Sequence, residues 1–230
     1  MKIAIAVFSG TGNTAFVTGL IAQNLREAGA TVDVFTIDAS SLAGPPLSKT
    51  GFIPSEYDIA GIGHPILGFG ATPLVVRFAQ TLPAGNTRFF VFKTAADNHH
   101  INNSASEKLI NILYQKGYDV FHDYLYVMPC NWVIEYQRAF NLQLIDRAHD
   151  RARLHARQLI NGVRAAMPVY PWWRRIARFL HYLESNYGRK QFGKALRTEK
   201  GCTCCGLCVK SCPMHNITEH PAIPGQILTT

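Results

Sequence analysis

No apolar run in this 230-residue chain approaches the length of a membrane-spanning helix. The N-terminal stretch "MKIAIAVFSG" superficially resembles an export signal. Its apolar run covers only residues 3–8, shorter than a signal core, and leads into Gly, Ser and Thr. A first β-strand fits it better, and a reducing cytoplasm is the expected compartment. Cysteine is nearly absent from most of the chain: of six, only Cys130 precedes residue 202. A disulfide framework would spread its cysteines, so a cluster between 202 and 212 points to metal instead. No Lys or Arg stands between residues 3 and 25. Acids are scarce between residues 138 and 200, where fourteen Lys and Arg face four Asp and Glu. That excess is larger than the net charge of +8 of the whole chain, so the basic character belongs to this segment. Internal repeats and low-complexity tracts are lacking.

What is present alternates strand and helix signals over residues 1–162. "KIAIAVF", "TVDVFTID", "DIAGIGHP", "RFFVFKTAA" and "DVFHDYLYV" read as five strands. Val17, Ile21 and Leu25 recur at helical spacing before Gly29. "PLVVRFAQTL" is a second helix, and Ser104 with Glu107 forms a candidate capping box for a third, which carries Leu109, Ile110, Leu113 and Tyr114. "LQLIDRAHDRARLHARQLI" is a fourth, ended by Asn161 and Gly162. The expectation is an α/β domain with a five-stranded parallel sheet covered on both faces, and with ligands at the carboxyl ends of the strands. Those ends are "SGTGNT", "GHPILGFG", "KTAADNHH" and "MPCNW". Cys130 and the His99–His100 pair read as ordinary loop residues.

"SGTGNT" lies between a buried strand and a helix. Gly10 and Gly12 allow a tight turn and close approach of a ligand, and amides at a helix N-terminus bind anions. Ser9, Thr11, Asn13 and Thr14 add neutral donors. A P-loop is excluded by the missing Lys. Gly10, Gly12 and Ala15 fit a relaxed dinucleotide fingerprint, with Asp38 placed as its ribose-binding acid, and that alternative stays open beside a ligandless turn.

"SGTGNT" also closely resembles the phosphate loop of the flavodoxin family, and the strand count and loops extend the resemblance over about the first 160 residues. The resemblance implies FMN, with phosphate on Ser9, Gly10, Thr11, Gly12, Asn13 and Thr14. By the same resemblance Pro65, Ile66, Leu67, Gly68 and Phe69, together with Thr94, Ala95, Ala96 and Asp97, flank the isoalloxazine.

Cys202, Cys205, Cys208 and Cys212 follow the order C-x2-C-x2-C-x3-C, with Pro213 behind them. A structural zinc site normally draws pairs from separate segments, whereas this spacing suits an iron–sulfur cluster. Cys204 lies off the spacing. The run resembles the first box of a bacterial-type ferredoxin, which implies a 4Fe-4S cluster. In such a box the fourth Cys serves a second cluster, yet no Cys follows Cys212. The ferredoxin module is therefore expected to be incomplete and the chain cut short. The whole resembles the flavodoxin–ferredoxin fusion family: residues 1–162 an FMN domain, 163–200 a basic helical connector, 201–230 a partial ferredoxin segment.

The function expected is electron transfer between FMN, the cluster and an acidic redox protein. The rivals are a flavin-dependent reductase of a small molecule fed by the cluster, or a nicotinamide-dependent oxidoreductase. In the connector, Trp173, Ile176, Leu180 and Leu183 share one helical face. A packing helix with a solvated basic face is preferred there over docking on a membrane surface or nucleic acid; no nucleic-acid partner is expected, and membrane contact would be weak.

Overall fold

A computed structural model describes residues 1–42, 51–130, 136–188, 191, 202–219 and 227–229. In chain order the elements are β1 (Lys2–Val7), α1 (Asn13–Glu27), β2 (Thr31–Thr36), β3 (Ile59–Leu67), β4 (Gly70–Ala71), α2 (Pro73–Thr81), β5 (Arg88–Ala95), α3 (Glu107–Gln115), β6 (Asp119–Val127) and α4 (Arg138–Ile160). Five strands run parallel in the order β2-β1-β3-β5-β6. This is the flavodoxin-like doubly wound order, with its switch point between β1 and β3. The two-residue β4 adds an antiparallel edge to the end of β3.

Each face of the sheet is sealed by a helix pair. Val17, Ile21 and Leu25 of α1 and Ala148, Ala152 and Leu159 of α4 pack on Ile3, Ile5, Phe90 and Phe92. Leu74, Val75 and Phe78 of α2 and Leu109 and Leu113 of α3 pack on Ala4, Ala6, Phe89 and Val91. Each Val, Leu, Ile or Phe so buried contributes about 1.5–3 kcal/mol, and each Ala less. Two glycines of β3 make room for the phenylalanines of β5: a Cβ at Gly61 would lie 2.2 Å from Phe90, and one at Gly63 would lie 2.3 Å from Phe92.

The capping box expected at Ser104 does not form. The Glu107 amide bonds the backbone carbonyl of Ser104, and Ser106 stands at the cap position without a side-chain cap bond. The Glu107 carboxylate, which would have closed the box, is held by Arg174 and Arg178, and the hydroxyl of Ser106 at the cap position is bonded to His64.

Residues 163–188, read from the sequence as a connector with a packing helix, lie against the sheet domain. Ala165 bonds the backbone on either side of His122, extending the edge beyond β6. Helix α5 (Pro171–Leu183) then starts on a proline, whose missing N–H costs nothing at a helix's first turn. Trp173 meets His99 edge-on at 4.5 Å and Tyr170 meets His100 at 4.8 Å. His181 Nδ1 donates to the Gly68 carbonyl at 2.9 Å, and Arg178 pairs with Glu107 at 2.8 Å. Residues 189–190 and 192–200 of the connector lie outside the described residues. The C-terminal segment contributes a short helix α6 (Leu207–Ser211) and an antiparallel pair, β7 (Ile217–Glu219) with β8 (Ile227–Thr229).

Candidate nucleotide site at the strand ends

The loop after β1 is built to expose amides. Gly12 takes φ 100° and opens α1 with no side-chain cap. The first helical bond runs from the Phe16 amide to the Gly12 carbonyl, so the amides of Asn13, Thr14 and Ala15 precede the intrahelical ladder. Ser9 Oγ accepts from the Gly12 amide at 3.2 Å and folds the loop on itself. Around Gly10 and Gly12 a Cβ would meet nothing within 4 Å, which leaves an open cradle against the backbone. The uncapped end of a fifteen-residue helix concentrates partial positive charge there.

Three further strand ends close on this loop. Asn13 Nδ2 donates to the Pro129 carbonyl at 2.8 Å, beyond β6. Thr14 Oγ1 and Thr94 Oγ1 share a hydrogen bond of 2.9 Å, linking the loop to the end of β5. The Phe8 amide bonds the Gly63 carbonyl of β3. Thr14 is buried, so its hydroxyl braces the floor of the loop and only its amide faces the helix end. Of the expected donors, Gly10, Thr11 and Gly12 are exposed, while Ser9 and Asn13 are half-buried.

"HPILGF" is a hairpin rather than an open loop. Ile66 pairs with Ala71 and Leu67 with Gly70, leaving Gly68 and Phe69 as the two turn residues. Both have positive φ, 52° and 65°, as a type I′ turn requires. For Phe69 that is strained backbone. Pro65 and Ile66 are half-buried and Leu67 is exposed. On the β5 side, Ala95 and Ala96 are half-buried and accessible. Asp97 is turned into its own loop, where Oδ1 accepts from the His99 amide and from Asn102 Nδ2, both at 2.8 Å. Its carboxylate organises the turn.

Sequence reasoning missed the polar cluster beneath these loops. Lys93 is fully buried in β5, with Nζ 2.6 Å from Asp123 Oδ2 of β6 and 3.1 Å from the Asn103 carbonyl. His64, also fully buried, donates from Nδ1 to the Pro65 carbonyl, leaving Nε2 to accept from the Ser106 hydroxyl at 3.0 Å. Burial, helped by the Lys93 charge and opposed by the Pro65 carbonyl, lowers its pKa to about 4. Tyr136 was also missed; its hydroxyl donates to the Ala96 carbonyl at 3.2 Å. The one sequence signal for the cluster is a Lys inside a run of phenylalanines. Trp132 of "MPCNW" lies outside the described residues.

The cysteine box lies apart from these loops in sequence, with one backbone contact at the end of the sheet: the Ala39 amide, beyond β2, bonds the Pro213 carbonyl. Cys202, Cys205 and Cys208 are exposed and Cys212 is partly buried, with Sγ bonded to Asn216 Oδ1. The Leu207 backbone and the Thr203 side chain hold the Cys205 thiol below its ordinary range. Among the described residues, no group of three or more His, Cys, Asp or Glu is placed to hold a metal ion. As folded here the four thiols do not form a cluster's ligand shell. The loop after β1, in contrast, sets neutral donors and unladdered amides beside open space, the chemistry an anion such as phosphate needs.

No protein-family model matches the chain, and no curated protein sequence does. Three solved structures illustrate what it is similar to. A flavodoxin of Streptococcus pneumonia TIGR4 is 18% identical, with 71% of this chain and 100% of that one covered and a TM-score of 0.47. Oxidised Flavodoxin 2 from Bacillus cereus is 16% identical over 69% of this chain and 99% of that one, at 0.47. A short-chain flavodoxin associated with a non-canonical PDU bacterial microcompartment is 12% identical over 70% and 97%, at 0.48.

Proposed function

We propose that this chain is a flavin-binding electron-transfer protein that holds FMN at the β1/β3 switch point. The observation that carries the reading is the uncapped N-terminus of α1 with its open glycine cradle, at the place where sheets of this order take their ligand. A bound flavin supplies the capacity to accept one or two electrons. The amides of residues 13–15 and the Ser9 and Thr11 hydroxyls hold the phosphate without a cation. The hairpin at Gly68 and Phe69 and the backbone of Ala95 and Ala96 border the ring. The iron–sulfur part of the reading rests on the spacing of Cys202, Cys205, Cys208 and Cys212 alone.

One anaerobic preparation tests both parts. Heat-released nucleotide is expected to be FMN; recovery of FAD or NAD, or of none from folded protein, would sink the flavin reading. Gly10→Asp sets a like charge in the cradle without an internal clash, and is expected to weaken FMN binding at least about tenfold while the fold is kept. Iron and sulfide bound by the chain and lost in Cys205→Ser would support the cluster, and their absence would remove it.

The partner we propose is an acidic redox protein. Helix α4 turns Arg147, Arg151, Arg153 and Arg157 to solvent. Electrostatic steering makes the rate of electron exchange with such a protein fall by about tenfold or more as salt is raised to physiological strength. A salt-independent rate would count against this partner.

A further inference from the structure

Helix α5 presents its aromatic side outward. Its inner side, Trp173, Ile176, Ala177 and His181, is spent on the clasp over the 98–105 loop and the β3–β4 hairpin. Arg174 and Arg178 are drawn to Glu107. What remains on the outside is Trp172 at 67% exposure, Phe179 at 61%, Tyr182 at 57% and Leu183 at 38%, with Arg175 among them. At 100° per residue these positions fall within one stripe about a third of the helix wide. Tyr187, 63% exposed, follows in the next turn. Of the packing face expected from the sequence, Trp173, Ile176 and Leu180 are partly covered, while Leu183 falls with the exposed aromatics.

We infer that this stripe docks on a lipid surface carrying anionic headgroups. Soluble domains rarely leave so many large apolar side chains contiguous without a use. A helix with Trp, Phe and Leu on one side and Arg flanking them lies in the plane of a membrane interface. Trp and Tyr favour that depth, because each ring carries a polar tip. The charges select the occupant. With Arg174 and Arg178 paired to Glu107, Arg175 sets the charge of the stripe, and the helix from Pro171 to Leu183 has no acid to offset it. A second copy facing this stripe would set Arg175 against like charge with nothing to offset it, whereas anionic headgroups complement it. The contacts with Gly68, His99 and Glu107 fix the helix on a rigid body, so docking does not have to order it.

The test is sedimentation of the full chain with vesicles of phosphatidylcholine, with and without phosphatidylglycerol. Binding is expected only to the anionic vesicles. Trp172→Ser and Phe179→Ser should each weaken it about tenfold, and Arg175→Glu should weaken it further. Circular dichroism and nucleotide content, unchanged in the variants, show that the fold is intact; Arg175→Glu, wholly on the surface, serves if the others fail to fold. Equal binding by parent and variants would show attraction by overall charge alone and overturn the proposal. So would the absence of binding, or a dimer in sedimentation velocity that these variants dissociate. The result does not depend on whether FMN is the nucleotide released.

Discussion

Replacing Lys93 by Met is expected to remove about 3–5 kcal/mol of folding stability. The ammonium group is sealed in β5 and reaches Asp123 Oδ2 at 2.6 Å. Asp123 Oδ1 already lacks a partner among the described residues. Taking away the cation leaves a carboxylate that is only 8% exposed with neither oxygen compensated. For a chain of this size the loss corresponds to a fall in Tm of about 6–20 °C, measurable by calorimetry. The double variant Lys93→Met with Asp123→Leu is expected to recover most of it, because two apolar groups demand no pairing. A single variant within about 1 kcal/mol of the parent would show that water reaches the pair. Lys93 also donates to the Asn103 carbonyl, so the same variant should loosen the loop after β5 and weaken nucleotide binding with it.

Acidification is the second large effect. His64 is held at about 4, against about 6.5 in the unfolded chain. Burial likewise lowers the pKa of His122 and lowers that of His155 well below its ordinary value. The folded state therefore keeps these rings neutral while the unfolded state takes up protons. Stability is full above pH 6.5 and is lost as pH falls through the window down to about 4. For His64 alone the loss amounts to about 3 kcal/mol. Urea unfolding at pH 7.5, 6 and 5 should show about 2 kcal/mol of it, and His64→Gln should flatten the profile over that range by a similar amount. A variant whose pH profile matched the parent's would assign the acid sensitivity elsewhere.

Much of the fold was legible because its signals are local. Strand β6 and the end of α1 at Gly29 follow from apolar runs and a glycine with φ 86°. The glycine loop was legible as an anion site because its donors are contiguous. What stayed hidden depends on partners distant in sequence. The reach of Lys93 for Asp123 is invisible until β5 and β6 lie side by side. The Ser104 box fails with Glu107, its second member, drawn to Arg174 and Arg178, some seventy residues away. Pro65 and Gly68 suggested an open loop, whereas antiparallel pairing with residues 70–71 makes a hairpin. The arginines of α5 looked free because the acid that binds two of them sits on α3.

The clasp of residues 163–188 also bears on where the folding unit ends. Its Ala165 bridge, the Asn103 bond to the Pro168 carbonyl and the His181 bond to Gly68 restrain the edge at β6, the loop after β5 and the turn of the β3–β4 hairpin. Each loop residue held in one conformation costs about 1–2 kcal/mol of backbone entropy. That ordering is completed as the chain folds and is not left to the moment a ligand arrives. A segment that reads as a tether between modules is thus part of the site's scaffold, and a boundary drawn at Gly162 would cut through the scaffold.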